Sequence, residues 1–347
     1  MKSISSKAFF ILGLSLINLA YSCKNNKKET AMPAEKDSKL YVEILDAEAN
    51  SIIDSTSQIE VIATGFDWAE GPLWIEDGQY LIFSDVPRNK IYKVTKEHDT
   101  LTYLEPSGFT GTDFKGSEPG SNGLTLNAEG MLVMAQHGNR DIAEMNAPVN
   151  DPKPDFKVLT ADFEGKKFNS PNDLVYDNAG NLYFTDPPYG LPGGENDTIN
   201  KQLDFQGVYC LLKSGELKLI DTLSRPNGVT LSPDNSKLYV SNSDPDHAVW
   251  YQYELSEPGT VADKSVFYDV TSHVGKPDEA GLPDGMKMQK DGYLFGSGPG
   301  GIWIFNPQGK PMARIRTDRP TANCAFTTDQ KTLYMTADDR ILSVNLK

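Results

Sequence analysis

The chain is poor in cationic, thiol and imidazole side chains. Its 33 lysines and arginines face 48 aspartates and glutamates, for a formal charge of −15. That balance argues against nucleic-acid binding, which needs a basic footprint. There are only four histidines and three cysteines, the side chains that zinc would want. After the N-terminal segment no run of about 18 apolar residues suggests a membrane span. From Ser57 to Lys347 no long stretch carries helical periodicity. An apolar content of 38% still supports a proper core. These absences leave a strand-built, acidic protein.

The N-terminus reads as a targeting segment. Lys2 and Lys7 form a basic start, residues 8–20 are mostly apolar, and small and polar residues follow. This is the pattern of a secretory signal. Leu19-Ala-Tyr-Ser-Cys23 resembles a bacterial lipobox, so 1–22 is expected to be a lipoprotein signal peptide and Cys23 the lipidated first residue. Residues 23–57 read as a polar tether, with a short helix expected within 43–55. Lys24 follows Cys23 where inner-membrane retention would call for Asp. The expected location is therefore an exported lipoprotein of the outer membrane, held through its lipid anchor only, and a monomer.

One short phrase recurs through the rest of the chain. Its copies read Glu70-Gly-Pro-Leu-Trp74, Asn122-Gly-Leu-Thr-Leu126, Asn172-Asp-Leu-Val-Tyr176, Asn227-Gly-Val-Thr-Leu231, Asp284-Gly-Met-Lys-Met288 and Asn323-Cys-Ala-Phe-Thr327. Each is followed by a turn, such as Asn178-Ala-Gly180, and then by a strand-like run such as Asn181-Leu-Tyr-Phe-Thr185. Steps of roughly 40 to 55 residues with several strands each are the signature of a propeller blade. Six copies predict an all-β, six-bladed β-propeller over 58–347. The run Ile59-Glu-Val-Ile-Ala-Thr64 has no partner of its own. It is expected to join the last blade, closing the ring and removing an exposed edge. Cys210 and Cys324 fall three repeats apart, on opposite sides of such a ring. They are expected to be buried free thiols.

In a propeller the first strand of each blade lines the central channel, so equivalent positions converge at one mouth. The opening residues of the phrase are nearly all oxygen-bearing, with acids at Glu70 and Asp284. Carboxylates and amide carbonyls are the ligands of a hard cation such as Ca2+, which takes six to eight oxygens. No anchor offers His or Cys. The alternative is that Asn and Asp before Gly only serve strand-entry turns.

Four of these segments, Ala69-Glu-Gly-Pro-Leu-Trp74, Ser170-Pro-Asn-Asp-Leu174, Arg225-Pro-Asn-Gly-Val229 and Leu282-Pro-Asp-Gly-Met286, resemble the metal motifs of the regucalcin/gluconolactonase family. Gln136-His-Gly-Asn-Arg140 and Phe184-Thr-Asp-Pro-Pro-Tyr-Gly190 are similar to its bacterial gluconolactonase branch. The resemblance implies one catalytic divalent cation, most often Ca2+, with Zn2+, Mn2+ or Mg2+ as alternatives. Carried over, its ligands are Glu70, Asn172, Asn227 and Asp284. The implied reaction is hydrolysis of a sugar lactone to the aldonic acid, the cation polarising the lactone carbonyl. Asp284 is the candidate general base, with Glu70 sharing the role or metal-bound hydroxide attacking directly. Related propellers hydrolyse aryl esters or organophosphates, and a non-catalytic binding platform is the third reading.

Further candidates lie in loops that could reach the mouth. His137 is a candidate for proton transfer or substrate contact, being a side chain that titrates near neutrality. Arg140, Asn122, Asp186 and Tyr189 are candidate substrate contacts, and Asn172 is counted with them. Loops 106–120 and 192–206 are expected to set the polarity of the pocket.

Overall fold

Runs of Tyr, Leu, Val and Phe, each closed by a polar turn, dictate antiparallel hairpins in this chain. In blade three the Asp177 side chain accepts from the backbone N–H groups of Ala179 (2.9 Å) and Asn181 (2.8 Å). Gly180 supplies the positive φ of 90° that completes the turn. Asn127 and Asn306 play the Asp177 part in blades two and five. The following strand, Leu182–Asp186, is buried at every residue. A strand with both faces covered belongs between layers.

A computed structural model describes residues 40–347. The expected signal segment 1–22, Cys23 and the tether as far as residue 39 lie outside the described residues. Six antiparallel sheets follow one another, each a blade of a six-bladed β-propeller. Their first strands are Ala69–Ile75, Ser121–Leu126, Leu174–Tyr176, Pro226–Leu231, Met286–Met288 and Thr321–Phe326. Each packs against the first strand of the next blade, and the sixth returns to the first. Ile59–Thr64 pairs antiparallel with Arg340–Asn345, Ile59 opposite Val344 and Thr64 opposite Arg340. The ring is thus closed by the N-terminal strand, as expected.

The core is the set of interfaces between blades. Trp250 of blade four is fully buried and meets Phe305 of blade five edge-on, ring centres 5.3 Å apart. Phe184 and Tyr209 stack at 5.1 Å against Phe168 in blade three. Truncating such a ring costs about 3–5 kcal/mol. Cys210 and Cys324 are free and buried, matching expectation. Burial pushes their thiol pKa values up to about 11 and about 12.

The tether boundary at 57 needs correction. Tyr41–Ile44 adds a fifth strand to blade five, with Tyr41 opposite Arg316 and Ile44 opposite Ala313. A single 3-10 turn, Ala47–Ser51, follows under an Asp46 cap that accepts from Glu48 N–H (3.0 Å). Val42, Ala49, Ile52 and Ile53 then enter the core between blades five and six. Isolated apolar residues among charged ones hid this strap, because burial of one strand face needs only alternate positions. No helix among the described residues is long and apolar enough to cross a membrane.

Candidate active site

In blades one, two, four and six the phrase that opens the blade is also where its first strand breaks register. Pairing with the second strand slips between Glu70 and Leu73, Ser121 and Leu124, Pro226 and Val229, and Thr321 and Asn323. Such bulges re-aim a side chain out of the pleat. The residue after the anchor is the point of closest approach between blades. A Cβ on Gly71 would fall 2.0 Å from the Asn122 carbonyl oxygen, and one on Gly228 would fall 2.3 Å from that of Asp284. At Gly71 and Gly228 glycine is therefore a packing requirement, whereas Asp173 and Cys324 stand at that place in blades three and six. At Asn122 and Asn227 the anchor's own amide oxygen is left without a partner.

Glu70, Asn122, Asn172, Asn227 and Asp284 line one cavity of about 760 Å³. All four expected metal ligands are brought to the same wall of space. Glu70 is 3% exposed. Its carboxylate accepts from Gly71 N–H (3.2 Å) and from the Trp68 indole N–H (3.4 Å). Burial first, and then the Asp173 charge, push its pKa from 4.5 to about 8. Asp284 keeps some exposure to the cavity. Burial, and next Glu70 and Asp173, still push its carboxyl well above the ordinary range. Asp173 is itself tied to the backbone, accepting from Leu174 N–H (2.9 Å) and Val229 N–H (3.3 Å). Like charges crowded at low solvent exposure demand a counter-charge.

The amides complete the set. Asn227 donates through Nδ2 to Ser243 Oγ (3.0 Å), which in turn donates to the Pro283 carbonyl. That bond fixes the amide, and its Oδ1 is buried without a partner, as is Oδ1 of Asn122. Two uncompensated acids and unpaired amide oxygens on one cavity suit a hard, oxygen-seeking divalent cation. No group of three or more His, Cys, Asp or Glu side chains is placed to hold a metal among the described residues. The donor set therefore depends on its amides, and a thiolate- or imidazole-seeking metal finds no cage.

The remaining candidates divide. Tyr189 lines the cavity, its hydroxyl buried and without a partner. His137 lies fully buried behind the wall, its Nδ1–H donating to Glu118 Oε2 (3.0 Å). Arg140 and Asp186, expected as substrate contacts, are not among the lining residues. The Arg140 guanidinium donates to the backbone carbonyls of Phe168 (2.7 Å) and Asn200 (2.9 Å). Asp186 accepts from Asn169 N–H and Ser170 N–H, both at 2.8 Å. It thereby organises the segment that leads into Asn172. Both serve backbone polar groups that would otherwise be unpaired in a buried loop.

Sequence reasoning missed several wall residues. Glu118 and Gly194 enter from the two loops expected to shape the pocket. Arg225 sits two residues before Asn227 and pairs with Glu195. The segment 274–282, between blades four and five, forms another side of the wall. Its signal was present as a stretch without strand pattern ahead of Asp284. Glu279 in that segment is gripped by Arg314 and Arg316, Arg316 Nη1 standing 2.9 Å away.

Six blades around an acid- and amide-lined axial cavity define a propeller with a built small-molecule site. The chain belongs to the SMP-30/Gluconolactonase/LRE-like family, whose pattern it matches over residues 68–339. It is 39% identical over 303 residues to a gluconolactonase of Zymomonas mobilis, covering 86% of this chain and 84% of that one. A solved gluconolactonase of Xanthomonas campestris superposes with a TM-score of 0.74 at 26% identity, covering 88% and 95% of the two chains. A diisopropyl-fluorophosphatase of Loligo vulgaris is 29% identical over 190 residues, 52% of this chain and 58% of that one.

Proposed function

We propose that this protein hydrolyses a sugar lactone to the aldonic acid. The carrying observation is the convergence of Glu70, Asn172, Asn227 and Asp284 on one cavity, with both acids lacking a cationic partner among the described residues. Similarity to two gluconolactonases over most of the chain supports the choice of ester. A divalent cation, with Ca2+ the best match to the donor set, would be held by those four residues. When bound it supplies Lewis-acid polarisation of the lactone carbonyl and stabilises the developing oxyanion.

The chain's own residues supply the rest. Asp284 takes the proton of the attacking water as its oxygen adds to the carbonyl carbon. Collapse of the adduct breaks the bond from that carbon to the ring oxygen. Asp284 then returns that proton to the ring oxygen, which becomes a hydroxyl of the aldonic acid. Glu70 is held by Gly71 and Trp68, so its position is set before substrate arrives, as preorganisation requires. Asn122 and Tyr189 offer polar groups to the substrate. In the cell the reaction is proposed to take place on an exported protein anchored through Cys23. This location rests on the N-terminal sequence alone.

The similarity to a diisopropyl-fluorophosphatase keeps a second ester class in view. The test uses a soluble form beginning at Ser38. Glucono-1,5-lactone, other aldonolactones and diisopropyl fluorophosphate are assayed after chelation and then with calcium, zinc, manganese or magnesium restored. Metal-dependent lactone hydrolysis that disappears in Asp284→Ala is the expected result. Turnover of the fluorophosphate alone would move the assignment to that ester class. Metal binding without any turnover would make the propeller a binding platform.

A further inference from the structure

One polar pair at the cavity is not absorbed by the metal set. Glu118 lines the cavity with its side chain 30% exposed, and His137 behind it is wholly buried. Glu118 has no lysine or arginine partner among the described ion pairs. Its one side-chain contact there is the 3.0 Å hydrogen bond from His137 Nδ1–H. His137 Nε2 has no partner at all, so the single side-chain hydrogen bond of this imidazole goes to Glu118.

The pair stands on a stiff base. His137 N–H donates to the Gly120 carbonyl (3.0 Å), Gly120 N–H to Val86 (2.9 Å), and Phe109 N–H to Pro119 (2.6 Å). A Cβ on Gly138 would fall 2.3 Å from the Pro119 carbonyl oxygen, so the strand end and the loop meet backbone to backbone. On its far side the imidazole packs against Gly190, where an added Cβ would fall 2.8 Å from His137 Cβ. The chain at 137–138 is thus held on both sides, and the imidazole presents Nδ1 to the carboxylate. With Oε2 engaged, Oε1 and the remaining lone pairs of Glu118 are available to the cavity.

An ionised carboxylate only accepts hydrogen bonds, so what it recognises must donate. We propose that Glu118 is a substrate-binding residue that accepts hydrogen bonds from hydroxyls of the lactone ring, and that His137 is the positioning residue that orients it. The enzyme would then select polyhydroxylated lactones over plain ones. This rests on the sugar-lactone reading above. It adds the part of the site that distinguishes a sugar lactone from other esters.

The test compares kcat/KM on glucono-1,5-lactone with that on hydroxyl-free δ-valerolactone, using the full calcium-supplied chain. It also measures the affinity of 1,5-anhydroglucitol, a cyclic polyol with no ester. Glu118→Ala is expected to lower the preference for the sugar lactone about 10- to 100-fold, as loss of a charged hydrogen bond to substrate does. Polyol affinity should fall by a similar factor. Glu118→Gln, which still accepts, should fall between, and it decides the matter if the alanine variant does not fold. His137→Ala should lower the same preference, and His137→Asn, whose Nδ2–H can replace Nδ1–H, should recover part of it. Unchanged preference and polyol affinity in folded Glu118→Ala would overturn the proposal. So would loss of calcium affinity in place of polyol affinity, which would make Glu118 a metal ligand. If the parent hydrolyses no lactone yet binds the polyol through Glu118, the lactonase reading fails and the Glu118 assignment stands.

Discussion

Replacing Glu70 with glutamine should stabilise the chelator-treated protein while destroying the activity of the calcium-supplied one. The carboxyl is 3% exposed. Burial and the Asp173 charge carry its pKa from 4.5 to about 8. A carboxyl whose folded-state pKa lies above its unfolded value folds best when protonated. Its stability is therefore fully present below about pH 4.5 and is lost as the pH rises through about 8. At 1.36 kcal/mol per pH unit, that ionisation costs at most roughly 5 kcal/mol. Glutamine keeps the shape and removes the charge. Water entering the cavity screens part of the cost, so a gain of about 1–3 kcal/mol is expected, or about 2–6 °C in Tm for a chain of this size. The assay is calorimetric melting of parent and Glu70→Gln in chelator at pH 8 and at pH 4.5. The variant should melt higher at pH 8 and level with the parent at pH 4.5. Calcium at 100 times its Kd should restore about 2.7 kcal/mol to the parent, and less to the variant. A variant that is less stable than the parent at pH 8, or whose advantage ignores pH, would refute the account of the axial charge.

Three further outcomes follow from the packing. Starting the chain at Gln58 instead of Ser38 removes Val42, Ile52 and Ile53 from the core between blades five and six. At about 1.5–3 kcal/mol per side chain, the shorter form should melt roughly 10 °C lower, and equal melting would show the strap to be dispensable. Arg140→Ala should cost about 2–4 kcal/mol through its lost bonds to Phe168 and Asn200 carbonyls. The change should be read in Tm, and an effect confined to lactone KM would return Arg140 to the substrate contacts. Cys210 and Cys324, buried with thiol pKa values pushed up to about 11 and about 12, should resist a thiol reagent at pH 8 in the form beginning at Ser38. Both should react once it is unfolded, and fast reaction of either in the native protein would contradict their burial.

What could be read from the sequence was the periodic part of the molecule. Glu70, Asn172, Asn227 and Asp284 occupy one register of a repeat, and a ring converts equal register into spatial convergence. Ile59–Thr64 was legible for a related reason, because a strand left over from a count of six blades has one free edge to occupy. Glu118 has no register. It reaches the cavity because Gly138 lets Pro119 approach the end of a strand in its own blade, a relation no period encodes. Its one sequence signal was His137, a scarce residue at a strand end. Arg140 and Asp186 are engaged by buried loop backbone, which demands polar partners as strongly as a substrate does. Asp186 satisfies Asn169 and Ser170, and so shapes the approach to Asn172 without facing the cavity. The strap at 41–53 was hidden because Val42, Ala49, Ile52 and Ile53 are spread through a charged stretch. The axial oxygen set is thus encoded by repetition and the rest of the wall by aperiodic loops. Relatives can share the first while differing in the second. On the lactonase reading we propose that the choice among lactones lies with Glu118, Arg225 and the segment 274–282, which line the cavity outside the repeat, since loops carry the variable part of a site.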